Sequence, residues 1–238
     1  LALDLGIEKF DAYMRRYGFG QPTGIDLIGE VAGIVPSPEW KRSRFKQPWF
    51  LGETVIAGIG QGYWVVTPLQ LAQGTAGLAN GGLLRPLRLV QQKRVGLNQP
   101  WQMLPKPEPK SFGATPQQMQ AINQGMQMTM HTPRGTGYAI GAGAPYRIAG
   151  KTGTVQKISR KGNISMDPKN LPLHLRHQAL FIGYAPADDP KIAVVVVVEH
   201  GGYGASSAGP IARRMMDAYL LKTPAPVKAP VPAPEETP

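Results

Sequence analysis

Apolar residues recur at helical spacing in four segments of this 238-residue chain. Two of these segments open with a Thr-Pro-x-Gln pattern, in which threonine caps the helix, proline suits its first turn and glutamine completes a capping box. The first segment ends at Gly18 and Gly20, and the last is predicted over 206–221. The residues that carry the pattern in the first three are Leu3, Ile7, Phe10, Met14 and Tyr17; Thr67 to Gln70; and Thr115 to Gln118, followed by Met119, Ile122, Met126 and Met130. We expect these methionines to fill the core.

Three segments have strand character: 145–156, 178–186 and 191–199. The turn cluster Pro186 to Pro190 separates the last two, which predicts an antiparallel hairpin. Val194 to Val198 is an unbroken apolar run, typical of a strand covered on both faces. The pattern predicts an α/β (α+β) three-layer sandwich over residues 1–221, with a mainly antiparallel sheet between helices. Residues 222–238 are rich in Pro and Ala and are predicted to be a disordered tail.

Composition narrows the choice of partner only slightly. The chain has 26 Lys and Arg against 15 acidic residues, a net charge of +11, which favours an anionic neighbour such as nucleic acid, an acidic membrane face or a cell-wall polymer. Cysteine is absent, so disulfides and cysteine–zinc sites are excluded. The longest apolar run, Ile192 to Val198, is far shorter than the roughly 20 residues of a membrane-spanning helix. Because no initiator Met is present, we expect a fragment of a longer protein.

The stretch "RIAGKTGTVQ", Arg147 to Gln156, carries the most specific chemistry. The ammonium of Lys151 and the hydroxyls of Thr152 and Thr154 can hold a carboxylate on an exposed strand edge. Gly153 lets a substrate backbone lie against the strand, as in strand addition. The backbone N–H of Thr154 can point at a developing oxyanion. The alternative interpretation is a surface turn with a solvated lysine.

A Lys-Thr-Gly triplet is one of three elements of serine acyl-transferases; the others are Ser-x-x-Lys and Ser-x-Asn or Ser-x-Asp. Ser43-Arg44-Phe45-Lys46 fits the first pattern. We reject it because its flanks are charged and Pro48 is near, whereas the nucleophile should begin a largely buried helix that desolvates the lysine. No other serine has a lysine three residues later. We identify no second element either.

Longer stretches nevertheless resemble the class B penicillin-binding proteins, which are peptidoglycan D,D-transpeptidases. They are "AGIGQGYWVVTPLQLA" with "ANGG" after it, "HQALFIGYAPADDPKIAVVVVVEHGGYG", and the opening "LALDLGIEKFDAYMRRYGFGQPTGIDL". The pieces occur in family order up to about residue 221. Within the class the chain is most similar to the elongation-type members, with the division-type members next. The resemblance implies an incomplete penicillin-binding/β-lactamase-like transpeptidase fold.

The resemblance also implies a function. The protein would cross-link stem peptides through a serine acyl-enzyme during cell-wall elongation and would bind β-lactams. Lys151, Thr152 and Thr154 would bind the terminal carboxylate, and the N–H of Thr154 would share the oxyanion hole with that of the serine. Gly153 and Tyr203 would contact substrate, and the loop 131–137 would line the rim. No cofactor or metal is implied.

The remaining expectations from the resemblance concern parts outside this chain. The serine, the second element and a membrane anchor would lie upstream of Leu1, which places the site at the periplasmic face of the inner membrane. A membrane glycosyltransferase would be the partner. This fragment alone is predicted to be inactive.

Other candidates carry less weight. His174 and His177 share a spacing suited to metal ligands, but no third ligand is evident, and His131 and His200 are isolated. The segment 41–50 is basic and aromatic, as in single-strand nucleic-acid platforms, yet no nucleic-acid fold motif accompanies it. We expect a solvated loop there, or a contact with anionic glycan or membrane, and no nucleic-acid partner. A non-catalytic peptidoglycan-binding or interaction module remains the alternative function.

Overall fold

The structure, a computed structural model, describes residues 1–157 and 171–221. The predicted tail at 222–238 lies outside these residues. The helices are α1 (Ala2–Leu5), α2 (Ile7–Arg16), α3 (Pro38–Phe45), α4 (Leu51–Gly58), α5 (Pro68–Ala79), α6 (Pro116–His131), α7 (Tyr138–Gly141) and α8 (Ala208–Leu220). The strands are β1 (Leu83–Leu84), β2 (Gln92–Lys93), β3 (Gln102–Met103), β4 (Lys110–Ser111), β5 (Ala149–Val155), β6 (Gln178–Ala185) and β7 (Ile192–Val198).

An antiparallel sheet in the order β5-β6-β7 forms the centre of the fold. Phe181 and Val196 project from one face into a core cluster with Ala212 and Met216 of α8. The alternate residues Leu180 and Val197 project from the other face, toward side chains of α2 and α5. The predicted three-layer sandwich with a mainly antiparallel sheet is therefore confirmed, as is the β6–β7 hairpin.

The two Thr-Pro-x-Gln segments begin helices as predicted. Thr67 caps α5 and Thr115 caps α6, and in both helices the side chain of the glutamine three residues later accepts a hydrogen bond from the N–H of the capping threonine. Met119, Met126 and Met130 of α6 are buried, which confirms their core role. The first predicted helix is divided into α1 and α2 at Gly6, whose φ of 78° favours glycine.

The basic segment 41–50 is largely exposed, as predicted, but only its second half is a loop. Its first residues belong to α3, and α4 follows directly at Leu51. Lys41 is only 1% exposed because its ammonium pairs with Glu53 at 2.5 Å and lies 4.2 Å from the ring centre of Phe50. The prediction was wrong for Lys41, because the carboxylate that compensates its buried charge lies twelve residues away in the sequence.

Strand β7 is covered less completely than its sequence predicts. Val194 and Val196 are buried, but Val197 on the opposite face is 38% exposed. A groove of about 720 Å³ runs along that face, lined by apolar side chains of α2, of the segment 64–71 and of the sheet. Among the described helices none is both long and apolar enough to cross a membrane.

Candidate active site

The outer edge of β5 forms one wall of the candidate site. Within the described residues β5 pairs with β6 along one side only, and Lys151 is exposed while Thr152, Gly153 and Thr154 are half-buried. The carbonyl of Thr154 accepts a hydrogen bond from Gln61, which lies outside the sheet, at 3.1 Å. In an antiparallel strand the N–H and C=O of one residue point to the same side. The N–H and C=O of Thr154 therefore both face away from β6, toward the open edge.

Lysine 151 lies at this same edge. Its Nζ donates to the carbonyl of Thr152 at 2.7 Å. Thr152 lies two residues before Thr154, so its backbone groups face the same side of the strand. The open edge thus presents an ammonium group next to backbone N–H and C=O groups that do not pair with β6. Such an edge can bind an extended peptide that ends in a carboxylate.

Two loops converge on β5 and define the site further. The hydroxyl of Thr136 lies 2.7 Å from the hydroxyl of Thr152, which places the predicted rim loop 131–137 beside the motif. A Cβ on Gly204 would overlap the carbonyl oxygens of Gly153 and Leu180, so the loop after β7 crosses the strand in direct backbone contact. Tyr203, which is 50% exposed, is carried next to Gly153 by this crossing.

The loop that carries Tyr203 is fixed by backbone hydrogen bonds at both ends. The N–H of Gly202 donates to the carbonyl of His177 at 2.9 Å, and the N–H of Gly209 donates to the carbonyl of Gly204 at 2.8 Å. The side chain of Ser207 donates to the carbonyl of Gly201. The position of Tyr203 beside the sheet is therefore set by the start of α8.

Comparison with known proteins identifies the family of the chain. The profile of the penicillin binding protein transpeptidase domain matches residues 1–217, which is most of the chain. The chain belongs to the penicillin-binding protein transpeptidase family. The family resemblance predicted from the sequence is confirmed.

Relatives in this family are longer than the chain. The peptidoglycan D,D-transpeptidase MrdA of Haemophilus influenzae is 39% identical over 223 residues, which are 92% of this chain and 34% of the relative. The chain therefore spans about a third of that relative's length.

Solved penicillin-binding proteins have the same fold. Pseudomonas aeruginosa PBP2, in complex with WCK 5153, matches with a TM-score of 0.77 and 42% identity, over 92% of this chain and 44% of that one. Helicobacter pylori PBP2, in complex with MreC, matches with a TM-score of 0.74 and 32% identity, over 92% of this chain and 37% of that one. Both matches support the predicted transpeptidase fold, and both show that the chain is similar to PBP2.

The penicillin-binding family uses a Ser-x-x-Lys element, and the geometry at Ser43 does not provide one. Ser43 is exposed in the last turn of α3, and Lys46, also exposed, is the residue at which that helix ends with a φ of 58°. A desolvated lysine next to a serine is not formed there. The sequence does contain one Ser-x-Asp triplet, Ser165-Met166-Asp167, which the interpretation of the sequence missed. It follows the Lys motif, against family order, and lies outside the described residues.

The histidines have local roles. His131 accepts the backbone N–H of Ile148 through Nε2 at 2.9 Å, and burial together with the charge of Arg147 lowers the pKa of His131. His177 is buried and accepts the N–H of Lys157 through Nδ1 at 3.3 Å, whereas His174 is exposed. The two predicted candidates for metal ligands thus have different surroundings.

Gln61 is the site residue that the sequence interpretation missed. It lies within the stretch quoted for the family resemblance, but no local pattern indicates that its side chain reaches a strand 93 residues later. The contact of Gly204 with Gly153 was also missed, because only the three-dimensional crossing of the loop over β5 shows why position 204 is glycine.

Proposed function

We propose that this chain forms the substrate-binding wall of a serine-type peptidoglycan D,D-transpeptidase that acts in cell-wall elongation. The observation that carries the proposal is the open edge of β5, where the N–H and C=O of Thr154 face outward beside the ammonium of Lys151. An extended D-Ala-D-Ala end of a stem peptide fits this edge by strand addition. Lys151, Thr152 and Thr154 bind its terminal carboxylate, and Gly153 and Tyr203 contact the peptide.

The reaction needs a nucleophile from another part of the longer protein. A serine Oγ attacks the carbonyl carbon of the penultimate D-Ala, and its proton passes to a neighbouring base. The N–H of Thr154 donates to the oxyanion of the tetrahedral intermediate. When the intermediate collapses, the C–N bond breaks and the terminal D-Ala leaves as an amine with a proton. The amine of a second stem peptide then attacks the acyl-enzyme, which releases the serine and completes the cross-link.

A β-lactam is bound by the same groups. Its carboxylate takes the place of the terminal carboxylate, and attack on its ring carbonyl opens the ring. The broken C–N bond leaves the amine tethered to the acyl group, so no leaving group departs and the acyl-enzyme persists. Acylation by penicillin is therefore a direct assay for the proposed site.

The proposal includes a location and partners. We propose that the longer protein is anchored in the inner membrane and acts at its periplasmic face, together with a membrane glycosyltransferase. A protein of the MreC kind is a second proposed partner, since the similar PBP2 of Helicobacter pylori forms a complex with MreC. The net charge of +11 favours the anionic cell-wall polymers of that compartment.

The test is the rate of acylation of the full-length protein by a fluorescent penicillin. Lys151→Ala removes a charge-assisted hydrogen bond to the carboxylate, and we expect acylation to slow by roughly ten- to 200-fold. Lys151→Arg should recover little, because a planar guanidinium is not a compact ammonium and needs more space. The control is Lys93→Ala, which removes an exposed lysine on β2.

Two outcomes separate the proposal from its alternatives. If both Lys151 variants fold normally and acylate within about threefold of the parent, Lys151 is a solvated surface charge and the carboxylate-binding role is wrong. If the parent protein itself is not labelled, the chain belongs to a non-catalytic peptidoglycan-binding or interaction module.

A further inference from the structure

Gln61 connects two parts of the candidate site that are distant in sequence. Its side-chain Nε2 donates to the carbonyl of Thr154 at 3.1 Å, across 93 residues. The side chain is half-buried, and it reaches β5 from the edge that β6 leaves open. The hydrogen bond therefore fixes the strand from the side on which the substrate is proposed to lie.

The turn that carries Gln61 is held in place by the end of α4. The N–H of Gln61 donates to the carbonyl of Ile56 at 3.1 Å, and the indole Nε1 of Trp64 donates to the carbonyl of Ala57 at 3.1 Å. The hydroxyl of Tyr63 donates to Glu53 at 3.2 Å. Backbone and side-chain contacts on both sides of Gln61 thus limit where its amide group can point.

The carboxylate of Glu53 is itself anchored in the interior. It pairs with the ammonium of the buried Lys41 and accepts a hydrogen bond from the N–H of Phe50 at 2.8 Å. A buried ion pair of this kind is costly to disturb, because removal of either partner leaves an uncompensated charge. The Lys41–Glu53 pair therefore fixes α4, and with it the start of the turn that carries Gln61, relative to α3.

Thr154 needs an anchor such as Gln61 because it lies close to the end of β5. The ladder with β6 finishes at Val155, one residue beyond Thr154. In the described part of the chain no strand pairs with Thr154 on its outer side, so its dihedral angles are restrained there by the bond from Gln61. A displacement of this residue would turn its N–H away from the oxyanion.

We propose that Gln61 is a positioning residue, which holds the Thr154 carbonyl so that the N–H of the same residue stays aimed at the reacting carbonyl group. This inference rests on the proposed function of β5 and adds a residue to it. Gln61 acts through Thr154 and does not contact the reacting atoms. Its loss should slow the chemical step of acylation more than it weakens the initial binding of the β-lactam.

The first experiment separates those two steps in the full-length protein. The dissociation constant of the initial penicillin complex and the rate constant of acylation are measured by rapid quench for Gln61→Ala. We expect the rate constant to fall about two- to tenfold, the range for one hydrogen bond, and the dissociation constant to change less than about twofold. Gln120→Ala, an exposed glutamine of α6, is the matched control and should leave both values unchanged.

The second variant, Gln61→Glu, has nearly the same size but an ionised side chain at neutral pH. A carboxylate cannot donate to the Thr154 carbonyl, whereas the protonated acid can. Glutamic acid ordinarily titrates at about pH 4.3, and a carbonyl acceptor favours its protonated form. We expect the acylation rate constant of this variant, relative to the parent, to rise as the pH is lowered from about 8 to about 5. A purely structural defect would not recover in this way.

Hydrogen–deuterium exchange tests the inference without any acylation. Gln61→Ala should speed exchange in the peptide that covers 149–157 by about two- to tenfold, and Gln120→Ala should not. Unchanged exchange in this peptide overturns the positioning role. So does an effect confined to the dissociation constant, which would make Gln61 a ligand contact. If the parent is not acylated, the proposed function fails while the exchange result still decides the role of Gln61.

Discussion

At the scale of single residues, Gly204 determines how closely the loop after β7 approaches the candidate site. Gly204 lies so near β5 and β6 that a Cβ would overlap the carbonyl oxygens of Leu180 and Gly153. These obstacles are backbone atoms of a paired ladder, which cannot move aside as a flexible side chain can. Even alanine at position 204 must therefore displace the loop that carries Tyr203.

We expect Gly204→Ala to destabilise the protein by about 1–3 kcal/mol, the usual range for overpacking. Gly125→Ala is the control, because Gly125 lies in α6 and a Cβ there would meet no atom within 4 Å. That substitution should be neutral or stabilising by up to about 1 kcal/mol. Urea unfolding of both variants measures the difference. Equal midpoints for Gly204→Ala and the parent would show that the loop adapts without cost.

At the scale of secondary-structure elements, the junction between α6 and β5 depends on a neutral imidazole. His131, the last residue of α6, accepts the N–H of Ile148 just before β5 begins. Burial and the charge of Arg147 hold the pKa of His131 below its usual value. Because the unfolded chain binds a proton more readily, this contribution to stability is complete above about pH 6.5 and is lost as the pH falls toward the lowered pKa.

The matching measurement is the urea midpoint of the parent and of His131→Gln between about pH 8 and pH 5. Glutamine offers an amide oxygen as acceptor and does not titrate. We expect the parent to lose stability relative to this variant as the pH is lowered through about 6.5. A stability difference that is independent of pH over this interval would show that protonation of His131 does not affect the junction.

Some of the secondary-structure elements could be predicted from the sequence and others could not. Helices α5 and α6 were predicted because their caps use residues within one turn, Thr67 with Gln70 and Thr115 with Gln118. Helix α3 was not predicted, since it is mostly charged and lacks apolar residues at helical spacing. Its Lys41 is neutralised by Glu53 of another helix. Strands β1 to β4 have two residues each, too short for any alternation.

At the scale of the whole molecule, some parts of the candidate site could be predicted from the sequence and others could not. The Lys151–Thr154 motif is local, and its position on a strand followed from the residues around it. Gln61 and Gly204 reach this strand only through the packing of α4 and of the loop after β7. Such contacts between distant segments depend on the tertiary fold, which no local pattern of one sequence specifies.

The apolar groove on the face of the sheet that carries Leu180 and Val197 is also a property of the whole molecule. It has a volume of about 720 Å³ and is lined largely by apolar side chains, among them Phe10, Trp64, Leu71 and Leu180. Val197 is partly exposed in it. Apolar surface of this extent is typical of a face that another element covers. Under the proposed function, the helix that carries the catalytic serine would cover it.

We therefore expect the isolated 238-residue chain to be marginally stable and to bind a hydrophobic dye such as ANS more strongly than the full-length protein does. Val197→Thr, which makes the groove more polar at nearly constant volume, should reduce the dye fluorescence of the isolated chain. Val95→Thr is the control, since Val95 is 86% exposed but does not line the groove. Sharp, reversible thermal unfolding of a soluble monomer without dye binding would contradict this expectation, because the groove would then need no covering element.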